Sequence, residues 1–335
     1  MMYRTTACGF AVGVALWLVA AAVALAHDSH HGVPLLGTSS ARPIGPTPHC
    51  LCQAVAHNAT EEVAAEKPGL ANPFFAFDNG TGYGRVAPEE QAAMLKELGY
   101  DGIGYTGAQQ IPAMLKALDA RGLKMFSIYV EVCLTPEKSK PMYDPGLKAA
   151  IEPLKGRDTL VWLPISGGKP SSTDLDERAV TLIREIADMA EKSGLRVALY
   201  PHLGMYVERV EDAMRLAKKV DRKNVGVTFN LCHFLKLDDE KNLEQRLKEA
   251  VPYLFAVSIN GADGGNTNGM GWDRLIQTLD RGSFDVGRVL KAIKRLGYTG
   301  PIGLQCYAIP GDNRENLKRS MTAWRNLRAR IAAEN

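Results

Sequence analysis

Of the seven histidines in this 335-residue chain, five crowd into its first part: His27, His30, His31, His49 and His57. The other two, His202 and His233, stand alone in the body of the chain. Imidazole changes charge near neutral pH, so an isolated pair of histidines is suited to acid–base or ligand chemistry. The alternative is a pair of structural histidines, each satisfied by its own neighbours. Polar residues recur at the ends of apolar runs along the same stretch: Glu131, Tyr200, Glu208, Asn230, Asn260 and Gln305. Amides and hydroxyls both donate and accept, which suits recognition of a neutral, hydroxyl-rich ligand. A carboxylate that becomes buried has its pKa raised toward the range where it can pass a proton. Whether these groups meet depends on the elements that carry them.

Eight short apolar runs appear from residue 72 onward: Phe74–Phe77, Gly102–Tyr105, Lys124–Val132, Leu160–Ile165, Arg196–Tyr200, Val225–Phe229, Leu254–Ile259 and Pro301–Cys306. Near-continuous apolar runs of this length fit strands buried on both faces. Amphipathic stretches alternate with them, among them Pro88–Leu98, Asp174–Lys192, Arg209–Val220 and Phe284–Leu296. Pro88 suits a first helical turn, with Glu89 and Glu90 at its positive end. Asp174 is the expected N-cap of the second stretch. The segments Leu98–Gly104 and Leu296–Gly303 resemble each other, as do Gly122–Met125 and Gly194–Val197. In each a helix stops at a glycine, which permits a left-handed C-cap, and a strand follows. Alternation of this kind predicts a single-domain (β/α)8 TIM barrel over residues 72–332. An open doubly wound sheet is the alternative. The three glycines of Asp78–Gly84 sit where its phosphate loop would be, but their spacing does not match the dinucleotide fingerprint.

In such a barrel the active site lies at the C-terminal ends of the strands. Reading those ends in order gives Asp78 and Asn79, then Tyr105, Glu131, and Ser166 with Lys169. Tyr200, His202 and Glu208 follow, then Asn230 and His233, Asn260 and Asp263, and finally Gln305 and Tyr307. His202 and His233 therefore fall on neighbouring loops, five and six. Glu131 is expected inside the mouth, where burial raises its pKa. The segment from Asn260 to Ser283 is long and rich in Gly and Asn, and long βα loops in compact domains are usually functional. Its Trp272 offers an aromatic face for stacking.

Tyr200-Pro-His202-Leu-Gly-Met-Tyr206-Val-Glu208 resembles the fifth-strand motif of the xylose-isomerase-like sugar epimerase barrels. Asn230-Leu-Cys-His233 resembles the Asp-x-x-His motif of their sixth strand. The resemblance covers the barrel in strand order, on short motifs. It implies a sugar isomerase or epimerase that moves a proton next to a carbonyl of a sugar or keto-sugar, giving isomerisation, epimerisation or elimination. It assigns His233 to the substrate and Glu208 to the neighbourhood of the sugar. His233 with Glu208 or Glu131 is then the expected acid–base set. Tyr200, His202, Asn230, Asn260, Trp272 and Gln305 are the expected sugar contacts. Many members hold a divalent metal through strand-end carboxylates and a histidine. Here Tyr200, Asn230 and Gln305 stand where the resemblance puts Glu, Asp and Glu, and Ser258 or Asn260 where it puts His. Hard cations need anionic oxygens, so the usual metal site is not expected. His202, Asn230, Gln305 and Glu131 are the residual candidates for one. A sugar-binding protein on a barrel that has lost its catalysis is the second reading, and metal-dependent phosphodiester hydrolysis a disfavoured third.

The formal net charge of +3 comes from 40 basic and 37 acidic residues. No basic block with interleaved aromatics is present, which argues against nucleic acid as a partner. The expected partner is a small carbohydrate. Arg4, the apolar run Gly9–Leu25 and Ala24-Leu25-Ala26 read as a signal peptide cleaved after Ala26. Export to the periplasm or beyond the cell follows, with no membrane segment after cleavage. Residues 27–71, with Pro43, Pro46 and Pro48, read as a flexible leader. Five cysteines outlast cleavage, an odd number, and Cys133, Cys232 and Cys306 are expected as buried free thiols.

Overall fold

The computed structural model describes residues 70–334. The predicted signal peptide, and the leader up to residue 69, lie outside the described residues. Eight strands form at the predicted places: β1 Phe74–Phe77, β2 Gly102–Thr106, β3 Lys124–Tyr129, β4 Leu160–Leu163, β5 Arg196–Leu199, β6 Val225–Asn230, β7 Leu254–Ile259 and β8 Ile302–Leu304. All pair in parallel, each with its neighbours in chain order, and β1 pairs with β8 to close a (β/α)8 barrel. Closure leaves none of these eight strands with an unpaired edge. No helix among the described residues is long and apolar enough to cross a membrane.

Helices α1 (Pro88–Leu98), α2 (Ile111–Asp119), α3 (Leu147–Ile151), α4 (Asp176–Glu191), α5 (Val210–Val220), α6 (Leu231–Leu237), α7 (Leu243–Ala250), α8 (Trp272–Leu275), α9 (Gly287–Arg295) and α10 (Asn313–Ala333) connect and surround the strands. Pro88 opens α1 as predicted, and Glu89 and Glu90 fill its first turn. The four glycines expected at helix ends, Gly99, Gly122, Gly194 and Gly297, all have positive φ.

Asp174 does not cap α4, which starts two residues later at Asp176; Asp174 instead accepts from the Ser172 hydroxyl. Asp176 takes the inner position because a cage of donors meets it there: Tyr206 Oη at 2.6 Å, Lys219 Nζ at 2.8 Å and Arg215 Nε at 3.1 Å. Burial works against its charge, yet those bonds hold the carboxyl below its usual range. The cage pins the loop after β5 against α4 and α5.

The barrel interior is filled by Phe75, Phe77, Phe126, Leu160, Trp162, Ala198, Tyr200 and Ala256. Trp162 sits among them, with ring centroids 5.1 Å from Phe77 and 5.2 Å from Tyr200. Space for the two β1 rings comes from glycines on both neighbouring strands. A Cβ at Gly303 would stand 2.5 Å from Phe77, and one at Gly104 would stand 2.9 Å from Phe75. A second, larger apolar layer packs the outer strand faces against the helices. The interior is thus a sealed aromatic floor, and polar chemistry is confined to the mouth above it.

Candidate active site in the barrel mouth

On one side of the mouth β5 and β6 deliver the two histidines. The β5 ladder runs one residue past the strand, with Tyr200 N donating to Leu163 O, and stops at Pro201, which has no N–H to give. The chain then folds back: His202 N donates to Val207 O and Met205 N to His202 O. On β6, Asn230 ends the strand and starts α6, so His233 stands in the first turn of that helix. The two imidazoles meet with ring centroids 4.2 Å apart. Trp272, on α8 of the long loop after β7, packs edge-on to His233 at 5.3 Å. That loop is not irregular throughout, since an antiparallel bridge between Gly261 and Gln277 folds it over the rim.

Burial pushes the His233 pKa well below its usual value, and the neighbouring His202 adds to the shift. Burial also lowers the pKa of His202, opposed by the Leu203 carbonyl and Glu131. Both rings are therefore neutral at pH 7. His233 Nδ1 accepts from Leu203 N at 3.2 Å, and His202 Nδ1 meets Leu203 O at 3.0 Å. No hydrogen bond to either Nε2 is found among the described residues.

On the other side, β8 and β1 deliver amides and a buried carboxylate. Gln305 Oε1 accepts from Asn79 Nδ2 at 2.7 Å and from the backbone N–H groups of Cys306 and Tyr307 at 3.0 Å each. Its Nε2 points at Tyr200 Oη, 3.5 Å away. Asp78 is almost fully buried and accepts from Thr106 N at 2.6 Å and Thr106 Oγ1 at 2.8 Å. Burial raises its pKa to about 6 although the Thr106 bonds oppose the shift. Between the two sides, Asn230 Oδ1 accepts from Ser258 Oγ at 2.9 Å and from the Cys232 thiol at 3.3 Å. Burial pushes that thiol up to about 12, so it is no nucleophile at neutral pH. Asn230 Nδ2, Asn79 Oδ1 and Asn260 Oδ1 are buried without a hydrogen-bond partner. Asn260 is anchored from its other end, with Nδ2 donating to Gly261 O and Leu275 O.

Seven of the nine sequence-predicted residues are drawn to this mouth: His202, His233, Tyr200, Asn230, Asn260, Trp272 and Gln305. The two carboxylates behave differently. Glu131 is exposed, not buried as expected from the sequence. The β3 and β4 backbones run on past the barrel, pairing Val132–Cys133 with Ile165–Ser166, and carry Glu131 onto a raised lip. There it accepts from Ser166 Oγ at 2.6 Å. Cys133, on the same lip, is half-buried, while Cys232 and Cys306 are the buried free thiols expected. The Glu208 carboxylate is held by backbone on its own loop, accepting from Gly204 N at 2.8 Å, and by the loop after β4, accepting from Ser171 Oγ at 3.5 Å.

Asp78 and Asn79 belong to the site although the strand-end reading gave them no role. Their place at the end of β1 was the available signal. Tyr83 and Tyr307 are the large apolar side chains left exposed among the described residues, and both lie on mouth loops, after β1 and β8.

Residues 92–327 match the family described as the xylose isomerase-like TIM barrel. The chain belongs to that family. Over 134 residues it is 25% identical to an uncharacterised protein of Methanocaldococcus jannaschii, covering 39% of this chain and 43% of that protein. Over 129 residues it is 28% identical to a 3-dehydroshikimate dehydratase of Pseudomonas aeruginosa, covering 37% of this chain and 20% of the enzyme. The chain thus spans less than half the length of these relatives. Among solved structures it is similar to a 3-keto-D-glucoside 4-epimerase from E. coli, with a TM-score of 0.62 at 18% identity over 77% of this chain and 99% of the other. At that identity the likeness speaks for the fold.

The divalent metal implied by the family resemblance does not fit the residues present. Gln305 Oε1 is already held by three N–H donors, and Asn230 Oδ1 by a hydroxyl and a thiol. Burial keeps Tyr200 a neutral phenol. Glu131 is turned onto the lip. Among the described residues no three His, Cys, Asp or Glu side chains cluster as a cation would require. Without anionic oxygens the dehydration of a hard cation is not offset.

Proposed function

We propose that this chain is a sugar-modifying enzyme that moves a proton at the carbon next to a carbonyl of a sugar or keto-sugar. The observation that carries this reading is the contact between two neutral imidazoles, His202 and His233, at the mouth of a barrel whose metal positions are neutral. A neutral imidazole is a competent base at pH 7. The three unpartnered amide atoms of Asn79, Asn230 and Asn260 suit a ligand bearing both hydroxyls and a carbonyl, since two are acceptors and one is a donor. Trp272, Tyr83 and Tyr307 supply aromatic faces for the apolar side of a sugar ring. The relatives' names, a 3-dehydroshikimate dehydratase and a 3-keto-D-glucoside 4-epimerase, concern polyhydroxylated substrates with a ketone. Glu208 and Glu131 serve here as positioning and rim groups. The signal-peptide features of residues 1–26 support action outside the cytoplasm.

The test is deuterium incorporation. The purified protein is incubated in D2O with ketoses, 3-keto-glucosides and 3-dehydroshikimate, and exchange next to the carbonyl is followed by NMR. Exchange that disappears in His233→Ala supports the reading. Exchange that survives unchanged in that variant ends it. The neutral metal positions also favour a second reading, a sugar-binding protein without turnover. It predicts saturable quenching of Trp272 fluorescence by the same compounds with no exchange.

A further inference from the structure

The two histidines are not equivalent, and one residue of backbone makes them different. A carbonyl oxygen accepts only, so His202 Nδ1, 3.0 Å from Leu203 O, must carry the ring proton. A backbone N–H donates only, so His233 Nδ1, 3.2 Å from Leu203 N, must be the bare nitrogen. In the neutral rings the remaining nitrogens then have opposite characters: His202 Nε2 presents a lone pair and His233 Nε2 an N–H. With centroids 4.2 Å apart, one small molecule can touch both.

Behind this pair stands Glu208. Its Oε1 accepts from Gly204 N at 2.8 Å, and that N–H belongs to the same peptide unit as the Leu203 carbonyl. Carboxylate, peptide and imidazole form one chain of hydrogen bonds, each polarising the next. Negative charge at Glu208 strengthens the carbonyl as an acceptor and so makes His202 Nε2 more basic. In the enzymes where a histidine's role is set by the partner of its other nitrogen, that partner fixes tautomer and orientation.

We infer that the Leu203 backbone locks His202 and His233 into opposite neutral tautomers, making His202 the base and His233 the hydrogen-bond donor to the substrate carbonyl, with Glu208 as a positioning residue. This assignment rests on the proton-transfer reading above. In the step it describes, His202 Nε2 takes the proton from the carbon beside the carbonyl. The C–H electron pair becomes the C=C of an enolate, whose oxygen stays hydrogen-bonded to His233 Nε2–H without taking that proton. The proton held on His202, or a solvent deuteron exchanged onto that nitrogen, then returns to the original carbon as the enolate collapses to the carbonyl, and no further reactant is consumed.

The experiment has a spectroscopic arm and a kinetic arm. The full chain is labelled with 15N-histidine, and the ring tautomers are read at pH 7 from long-range proton–nitrogen correlations. His202→Asn and His233→Gln identify which signals belong to which ring. The expected result is an Nδ1–H tautomer for His202 and an Nε2–H tautomer for His233. Two rings of the same tautomer overturn the proposal whether or not any sugar is turned over.

The kinetic arm measures the exchange defined above. His202→Asn keeps an N–H near the Nδ1 position but has no Nε2, so exchange should fall on the order of 100-fold or more. His233→Gln keeps a donor near the Nε2 position and should retain at least about tenfold more activity than His233→Ala. Glu208→Gln should lower kcat with little change in KM and shift the His202 ring nitrogens. An unmoved His202 spectrum in Glu208→Gln would remove Glu208 from the scheme. Opposite tautomers with no exchange for any compound would overturn the base and donor roles together with the proposed reaction, while leaving the lock itself established.

Discussion

The β5–β6 side of the mouth and the β8–β1 side are built on the same physical device and use it in opposite senses. Each buries one titratable group with few compensating charges. His233 is buried neutral on the first side, and burial drives its pKa down. Asp78 is buried on the second, and burial drives its pKa up to about 6. Desolvation always disfavours the charged form, so a base and an acid move in opposite directions. The histidine side leaves both Nε2 atoms without a bond from the described residues. The amide side saturates Gln305 Oε1 with three donors. Reactivity therefore concentrates on one side and rigid recognition on the other.

The strongest way to break this division is kinetic. His233→Ala should lower exchange by on the order of 100- to 1,000-fold, the usual worth of one hydrogen-bond donor to a developing oxyanion. Asn79→Ala, on the amide side, should raise KM while leaving kcat within about tenfold. A reversed pattern, with Asn79→Ala abolishing kcat, would place the chemistry on the wrong side.

The next test uses linkage. The folded pKa of Asp78 lies above the unfolded value, so the native state holds the extra proton between about pH 4 and pH 6. Its contribution is full below the unfolded pKa and is lost as pH rises through the folded one. Urea denaturation of the wild type and Asp78→Asn should therefore show their stability difference moving against the wild type by roughly 3 kcal/mol from pH 4 to pH 7. His233 has the opposite sign. Its folded pKa is depressed, so its contribution is present above the unfolded imidazole pKa and is lost as pH falls. His233→Gln should accordingly flatten the acid limb of the stability profile. Parallel pH profiles for the wild type and both variants would refute the idea that burial shapes the two sides.

Smaller effects probe what each side rests on. Gly303 lies beneath Gln305 on β8, and an added methyl would press on the rings of Phe77 and Phe75. Gly303→Ala should cost about 1–3 kcal/mol by overpacking, measured by chemical denaturation. The least expected change is at Trp272, whose ring packs on His233. Trp272→Ala should weaken sugar binding by about 0.5–1.5 kcal/mol, read by titration calorimetry, with exchange in the saturated enzyme little altered.

Much of the architecture was legible residue by residue. Apolar runs alternating with amphipathic stretches marked all eight strands, and the glycines at 99, 122, 194 and 297 marked helix ends, where the backbone is left-handed. His202 and His233 were placed together because consecutive strands of a closed parallel barrel are neighbours, which is a rule of topology. Glu131 failed for a reason no local pattern carries. Its height depends on how far the β3 and β4 backbones run past the barrel before they part. Asp174 failed because Asp176 finds three donors, on the loop after β5 and on α5, that are remote in sequence.

Strand order, barrel closure and the two lone histidines of the body are legible in the linear chain, because periodicity, turn chemistry and residue type act over a few residues. That the residues at the metal positions are neutral follows from the family resemblance. Only the tertiary structure decided which nitrogen of each imidazole bears the proton, which amide oxygens are already occupied and which carboxylates are buried. Asn79 and Gln305 are 226 residues apart, yet their bond settles which way that amide faces. Hydrogen-bond satisfaction and desolvation are properties of atoms brought together from distant strands, and a linear chain does not contain them until it is closed into a barrel.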